Sequence, residues 1–377
     1  MPSQTDLAQK IMVEIKTSGP IPIDTFMARA LGDVEHGYYM KQDPFGVAGD
    51  FITAPEVSQV FGEMLGLWAA DFALRNHFEA LTLVELGPGR GTLMQDILRV
   101  LSKTPATKEL TQSAQIHLVE TSPTLRQKQA AQLADYQDQL SWHDSIASLP
   151  KSPMIIFANE FFDALPIKQF VQTQTGLEER MIDVDNDAFI FSHAPSLAAQ
   201  EVTQTPPLPA FHSSTLSTGD IVEHSPISLS VMKDLATRIA QYGGAMLALD
   251  YGYLTPLAGD SFQALYRHEY VFPLSHIGDA DLTAHVNFAA LAHTAKQNGA
   301  ALAGALTQAA FLTNIGIEAR FAQLLQNATP AQAQNLTAAR QRLLAPEQMG
   351  HLFKALAIYQ PDNAAPAGFH NDGQEEV

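Results

Sequence analysis

The sequence predicts an α/β fold: a parallel sheet covered on both faces, joined to a helical N-terminal segment and an antiparallel insertion. Three observations lead there. Short apolar runs without polar alternation, "LTLVEL" (81–86), "QIHLVE" (115–120), "MIIFA" (154–158) and "GAMLALDYG" (244–252), are separated by helix-like stretches near 92–102, 123–135 and 226–242. Such runs mark strands buried on both sides. The first run ends in a glycine-rich turn that opens a helix. The stretch 167–225 then breaks the rhythm with alternating strands ("IKQFVQTQ", "EERMIDV", "DAFIFSH") and a Pro/Ser/Thr-rich connection over 193–220.

In chain order, residues 1–80 read as a mostly helical extension. "LAQKIMVEIKTSG" carries Leu7, Ile11, Met12 and Ile15 at helical spacing, and Gly19-Pro20 stops it. "PIDTFMARALG" is a second helix. "SQVFGEMLGLWAADFALRN" is a third, with Val60, Phe61, Met64, Leu67 and Trp68 on one face. Between them lies a Gly/Pro-punctuated loop that includes "GDFITAPEVS". Residues 81–166 form the first half of the sheet core and 167–225 the insertion. Residues 226–360 form the second half, Ala-rich helix closed by the strand "LFKALAIYQ". Residues 361–377 read as a disordered tail.

The totals exclude several functions. The 377 residues carry a net charge of −18 and no basic run, which argues against nucleic acid. No run of 18 apolar residues predicts a membrane span. The first residues carry Asp6 and Glu14, unlike a secretory signal or transit peptide. There is no cysteine, which removes thiolate metal sites and suits a reducing cytoplasm, the expected location. His268, His276, His285 and His293 form no H-x-x-x-H or H-E-x-x-H pattern, so no metal is expected. No G-x-S-x-G elbow points to a hydrolase.

The turn "ELGPGRGT" carries the chemistry. Gly87, Gly89 and Gly91 follow the strand, and Thr92 with Gln95 reads as a capping box on the next helix. A P-loop lacks its Gly-Lys-Ser/Thr here, and the third glycine comes one residue early for a dinucleotide fingerprint. Glu85, two residues before Gly87, would repel a pyrophosphate. It would attract S-adenosylmethionine (SAM), which has no phosphate and carries a sulfonium and an ammonium group. Glu120, ending the second strand, suits the two ribose hydroxyls. Asp144, in "WHDS" past the third strand, suits the adenine amino group. The fourth strand ends in "FANEFFDALP", where Asn159, Glu160 and Asp163 fall at a sheet's carboxyl edge. If a helical turn starts there, Glu160 and Asp163 share a face and can grip one cation. That pairing and the acidity favour a guanidinium acceptor.

These segments, with "DPFGVAGDFITAPEVSQVFGEMLGLW", "HLVETSPTLRQKQ", "GDADLTAHVNFAAL" and "MGHLFKALA", resemble the MidA-like SAM-dependent methyltransferases. That family includes the mitochondrial complex I assembly factor, and the match runs from about Ile21 to Ile358. The resemblance implies a class I SAM-methyltransferase core, a Rossmann-like seven-stranded sheet, with SAM as cofactor. It implies arginine dimethylation of a respiratory complex I core subunit for the mitochondrial relatives. The family's SAM residues map onto Glu85, Gly87, Gly89, Gly91, Glu120, Asn159 and Glu160. Pro88, Thr92, Thr121 and Ser145 adjoin them, and Thr53 and Ser58 are polar contacts of the loop expected to close over the cofactor. The expected catalytic residues are Asn159, Glu160 and Asp163. The expected partner is a protein with an accessible arginine. A small-metabolite methyltransferase and a SAM-binding assembly factor stay open as alternatives.

Overall fold

The computed structural model describes residues 5–41, 53–194, 216–255 and 258–369. The chain forms two compact units. One gathers Ile52–Phe161, Val231–Leu254 and Leu291–Val377, and the other Met1–Phe51, Phe162–Ser230 and Thr255–Ala290.

The first unit holds the central sheet. Its strands are β1 (Thr82–Leu86), β2 (Gln115–Val119), β3 (Leu140–His143), β4 (Met154–Asn159), β5 (Gly244–Tyr253), β6 (Ala301–Thr307) and β7 (Phe353–Tyr359). They lie in the order β6-β7-β5-β4-β1-β2-β3. The pairs β1–β2, β2–β3, β1–β4 and β4–β5 are parallel, and β7 runs antiparallel to β5 and β6. This is the expected seven-stranded Rossmann-like sheet. Every residue of β1 and β4 is buried, which is why their sequences show no alternation. Chain order reverses between β1 and β4. In open α/β sheets such a reversal leaves a crevice beyond the strands' carboxyl ends. Leu86 pairs with Ala158, so the last residues of β1 and β4 come level there.

The helix Gln59–Arg75, placed in the N-terminal extension by sequence, belongs to the unit of the sheet. It buries Val60, Phe61, Met64 and Trp68, whereas Leu67 is exposed. It packs on the helix Thr92–Lys103 through Gly62 and Gly66. A Cβ on Gly62 would stand 2.5 Å from the Asp96 Cβ. Residues 361–369, expected to belong to a disordered tail, are held in place. The Trp68 indole N–H donates to the Ala367 carbonyl at 3.1 Å, Arg75 Nη1 to the Ala365 carbonyl at 2.9 Å, and Phe369 packs on Phe311. Residues 370–377 lie outside the described residues.

The second unit contains the predicted N-terminal helices and the antiparallel insertion. Helix Asp6–Ser18 is capped by Thr5, whose side chain accepts from Ala8 N, and buries Leu7, Ile11, Met12 and Ile15. Helix Ile23–Gly32 follows. The insertion pairs Lys168–Thr173 antiparallel with both Gly176–Asp185 and Ile221–His224, and Ala188–Ala194 pairs with Gly176–Asp185. Of the 193–220 connection, residues 195–215 lie outside the described residues. A small sheet of Gln263–Tyr266, Glu269–Val271 and Asp281–Thr283 completes the unit. It has no counterpart in the sequence reading.

The contact at Gly62 sets two effects against each other. Alanine raises helix propensity by about 1 kcal/mol over glycine. Overpacking a tight contact costs about 1–3 kcal/mol, and a Cβ at 2.5 Å from Asp96 must displace one helix. Gly62→Ala is therefore expected to lower the urea midpoint. Gly32→Ala, at a helix end with nothing within 4 Å of the added Cβ, is expected to leave it unchanged or raise it.

Candidate active site

The loop after β1 is shaped by its glycines. Gly87, Gly89 and Gly91 have φ of 60°, 52° and 85°, the left-handed region that other residues enter only with strain. Gly87 N donates to the Val119 carbonyl at 3.0 Å, and Gly91 N closes a turn onto the Pro88 carbonyl at 2.7 Å. Gly91 is the N-cap of helix Thr92–Lys103 and makes no side-chain cap bond. The Thr92–Gln95 capping box is therefore absent. Thr92 is already inside the helix, and the Gln95 side chain bonds Gln132 instead.

Glu85 is 3% exposed. Burial pushes its carboxyl up to about 8, while the Met94 N–H, in the helix's first turn, pulls the other way. Oε2 is buried with no hydrogen-bond partner among the described residues. The sequence could not show that the two oxygens of this acid differ in this way.

Glu120 ends β2 and is also buried. One oxygen accepts from Ser122 N at 2.8 Å and the other from Gln129 Nε2 at 3.2 Å. A carboxylate has about four acceptor sites, so a pair of hydroxyls can still be received. Burial raises its pKa, and the donors from Ser122, Gln129 and Thr121 oppose the rise. Asp144, past β3, is exposed and pairs with Arg126 at 2.6 Å. Arg126 Nε also donates to the Glu120 carbonyl at 2.8 Å. Ser145 precedes the short helix Ile146–Ser148 and makes no side-chain cap bond.

At the end of β4, Asn159 is 9% exposed. Its Nδ2 donates to Glu160 Oε1 at 3.2 Å, and its Oδ1 is buried with no hydrogen-bond partner among the described residues. Glu160 has φ +50°, a strained conformation for a non-glycine residue that costs about 1–3 kcal/mol. The bond from Glu160 N to the Leu249 carbonyl (2.8 Å) and that from Phe161 N to Asp250 Oδ2 (3.1 Å) hold it there. Asp250, fully buried within β5, is a residue the sequence reading missed. Its signal was one acid inside the apolar run "LALDYGY".

Glu160 Oε1 also accepts from Ala54 N at 3.2 Å. This caps the short helix Ala54–Val57, preceded by Thr53. Glu56 on that helix pairs with Arg90 of the glycine loop at 3.5 Å. Ser58 is committed locally: its side chain accepts from Val60 N and starts helix Gln59–Arg75. The rest of the expected covering loop, residues 42–52, lies outside the described residues. No helix begins at Phe161. The chain turns instead, Leu165 N donating to the Phe162 carbonyl at 3.2 Å, so the helical face expected to align Glu160 with Asp163 is not formed.

Asp163 lies in the other unit and is buried. Its carbonyl accepts from Ala284 N at 3.1 Å. In the same unit the Tyr39 hydroxyl donates to Asp281 Oδ1 at 3.0 Å. Burial first, then the charges of Asp281 and Asp163, push the Tyr39 hydroxyl well above its ordinary value.

The glycine turn, two buried acceptor atoms without partners on Glu85 and Asn159, and Glu120 at the neighbouring strand end fit a ligand with cationic groups and a ribose. The comparisons agree. The family of S-adenosyl-L-methionine-dependent methyltransferases matches residues 64–306. The chain belongs to this family. It is 37% identical to the zebrafish protein named mitochondrial protein arginine methyltransferase NDUFAF7, covering 93% of this chain and 85% of that one. It is 35% identical to the human protein of the same name, covering 94% and 83%. A solved protein from Burkholderia thailandensis, bound to S-adenosyl-homocysteine, superposes with a TM-score of 0.82 at 27% identity over 97% of each chain. The protein is a SAM-dependent methyltransferase with SAM as its cofactor.

One expectation is corrected. The zebrafish, human and fruit-fly relatives are named mitochondrial, which overturns the expected cytoplasmic location. Lack of cysteine does not distinguish one compartment from another. Among the described residues no helix is long and apolar enough to cross a membrane.

Glu85 makes stability depend on pH. The unfolded chain releases this proton near 4.5 and the folded chain near 8. Between those values the folded state holds the extra proton, so stability falls as pH rises, by at most about 1.4 kcal/mol per pH unit. In urea unfolding of the ligand-free protein, Glu85→Gln is expected to lose less stability than the parent from about pH 5 to about pH 8. Parallel curves for the two proteins would show that the carboxyl titrates near its ordinary value.

Proposed function

We propose that this methyltransferase acts on arginine side chains of a protein. The observation that carries the reading is Glu160, a carboxylate just past β4 whose Oε1 is held by the Ala54 N–H and Asn159 Nδ2. A guanidinium is the side chain best matched to carboxylates, through paired N–H donors. The net charge of −18 favours such an acceptor, and the names of the zebrafish and human relatives support it. A respiratory-complex subunit, the acceptor the resemblance implies, is the first candidate.

Glu85 and Asn159 are assigned to the cationic end of SAM, Glu120 to its ribose, and the Gly87–Gly91 turn with Pro88 and Thr92 to its close backbone approach. Thr121, Asp144, Ser145, Thr53 and Ser58 stay as flanking polar contacts. Bound SAM supplies an electrophilic methyl on a sulfonium, and its transfer to nitrogen leaves a neutral thioether and one proton to be removed. A protonated guanidinium is a poor nucleophile, so the acceptor nitrogen must shed a proton as the new bond forms. Glu160 is assigned as the proton acceptor, with Ala54 N and Asn159 Nδ2 fixing its Oε1. Asp163 is assigned to holding the guanidinium. The rest of catalysis is positioning.

Methyl-labelled SAM, incubated with lysate of a deletion strain and the purified protein, is expected to label protein arginine, read by mass spectrometry. In single-turnover transfer to that acceptor, Glu160→Gln and Asp163→Asn are each expected to lower the rate at least about tenfold, a loss of about 1.4 kcal/mol in transition-state binding. Asp163→Asn should leave SAM affinity unchanged. A labelled neutral metabolite, or full activity in both variants, would overturn the arginine reading.

A further inference from the structure

Gln129 lies in helix Pro123–Gln132 and is fully buried, an unusual place for an amide. Every polar atom of its side chain is used. Oε1 accepts from the Trp142 indole N–H at 2.9 Å. Nε2 donates to the Gly89 carbonyl at 2.8 Å and to Glu120 Oε2 at 3.2 Å. An indole N–H can only donate, so it fixes which end of the amide is oxygen. The two N–H groups are thereby directed at the carbonyl and the carboxylate. The Gln129 backbone packs against the same loop: a Cβ on Gly91 would stand 3.6 Å from its Cα.

One side chain thus ties together the glycine turn after β1, the acid that ends β2 and an aromatic ring of β3. We propose that Gln129 is a positioning residue for cofactor recognition: it sets the Glu120 carboxylate and the Gly89 peptide in one rigid arrangement, and so governs discrimination for the ribose. This rests on the assignment of the ribose to Glu120. Ser122 N holds one oxygen of that carboxylate and Gln129 the other. With both held, the remaining lone pairs point in fixed directions, and two vicinal hydroxyls can be received without reorganisation. Without Gln129, one oxygen loses the side-chain donor it has among the described residues, and a buried carboxylate is left partly unsatisfied. The physical response is rotation or protonation, and either costs hydrogen bonds to the ribose. The Gly89 carbonyl would lose its partner at the same time, so the turn and the acid would loosen together.

The test compares S-adenosylhomocysteine with its 2′-deoxy analogue by calorimetric titration of the full-length protein. The parent is expected to prefer the intact ribose by about tenfold, the usual effect of a hydrogen bond to a charged group. Gln129→Met keeps the length and removes all three bonds. Gln129→Glu keeps the acceptor for Trp142 and sets a second carboxylate against Glu120. Both are expected to reduce the preference to about twofold or less, with kcat at saturating SAM within about twofold of the parent. Trp142→Phe, which leaves Gln129 in place but removes the donor that orients it, should reduce the preference part-way, and it serves if a Gln129 variant does not fold. A merely structural role predicts equal weakening for both ligands and an unchanged preference, and that result would overturn the proposal. Glu120→Ala separates the two layers. If it leaves the preference intact, the ribose assignment falls and this inference with it. If it abolishes the preference while the Gln129 and Trp142 variants retain it, the assignment stands and the role of Gln129 is refuted.

Discussion

Burial of acid at the carboxyl ends of the central strands is the constraint on which the site depends. Glu85 and Asp250 each lie within a strand that is mostly apolar, and neither reaches solvent to any useful extent. A carboxylate in such a place is costly unless donors or a cation compensate it. The protein supplies donors sparingly. Glu85 receives the Met94 N–H and keeps its other oxygen without a partner, whereas Asp250 is used by the Phe161 and Tyr251 backbone N–H groups. The difference sorts structure from function. Asp250 fixes the chain after β4, and Glu85 stays poised for a ligand that brings positive charge. An anionic ligand would meet this carboxyl unfavourably once it ionised.

The strain at Glu160 follows from the same constraint. Its positive φ turns the chain sharply at the end of β4. That conformation aims its carboxylate at Ala54 N, at the start of a short helix whose Glu56 in turn pairs with Arg90 of the glycine turn. One strained residue therefore connects the end of β4 with the segment after Thr53, and that segment with the turn after β1. A group with such a role can also accept a proton, because Oε1 is held by two N–H donors and the carboxylate is fixed before the acceptor arrives. Structural and chemical duties coincide when the anchor is itself the acid.

Much of this was legible in the sequence, for physical reasons that also explain the gaps. β1, β2, β4 and β7 are rich in Val, Ile, Leu and Phe, and β5 is a run of Ala, Met and Leu, so their burial wrote itself into composition. β6, "ALAGALT", is mostly Ala, Gly and Leu, and Thr307 is its one β-branched residue. It is a strand because β7 offers an edge to pair with, which no local pattern records. The capping box failed because S/T-x-x-E/Q presumes that the Thr lies outside the helix, whereas Gly91 took the cap in a left-handed conformation. Glu85, Glu120 and Asn159 were readable because an acid or amide that ends an apolar run stands out. Gln129 was not. In "TLRQKQAAQL" it is one of several glutamines on a polar-looking helix, and only the tertiary arrangement distinguishes the one that is buried from those in water.

The separation of duties also bears on why so acidic a chain can bind its cofactor selectively. A net charge of −18 attracts any cation, and across a Debye length of about 8 Å at physiological salt it does so without discrimination. Selectivity has to come from groups close to the ligand and shielded from that screening. The buried ends of β1, β2 and β4 meet both conditions. Each carries a polar side chain that is less than a tenth exposed, set in backbone that parallel pairing makes rigid. The surface charge can raise the rate of encounter, whereas the polar groups buried at these strand ends act only on a ligand that reaches them. There the cost of leaving a carboxyl or amide unsatisfied is relieved only by a ligand whose donors and charges fall in the right places.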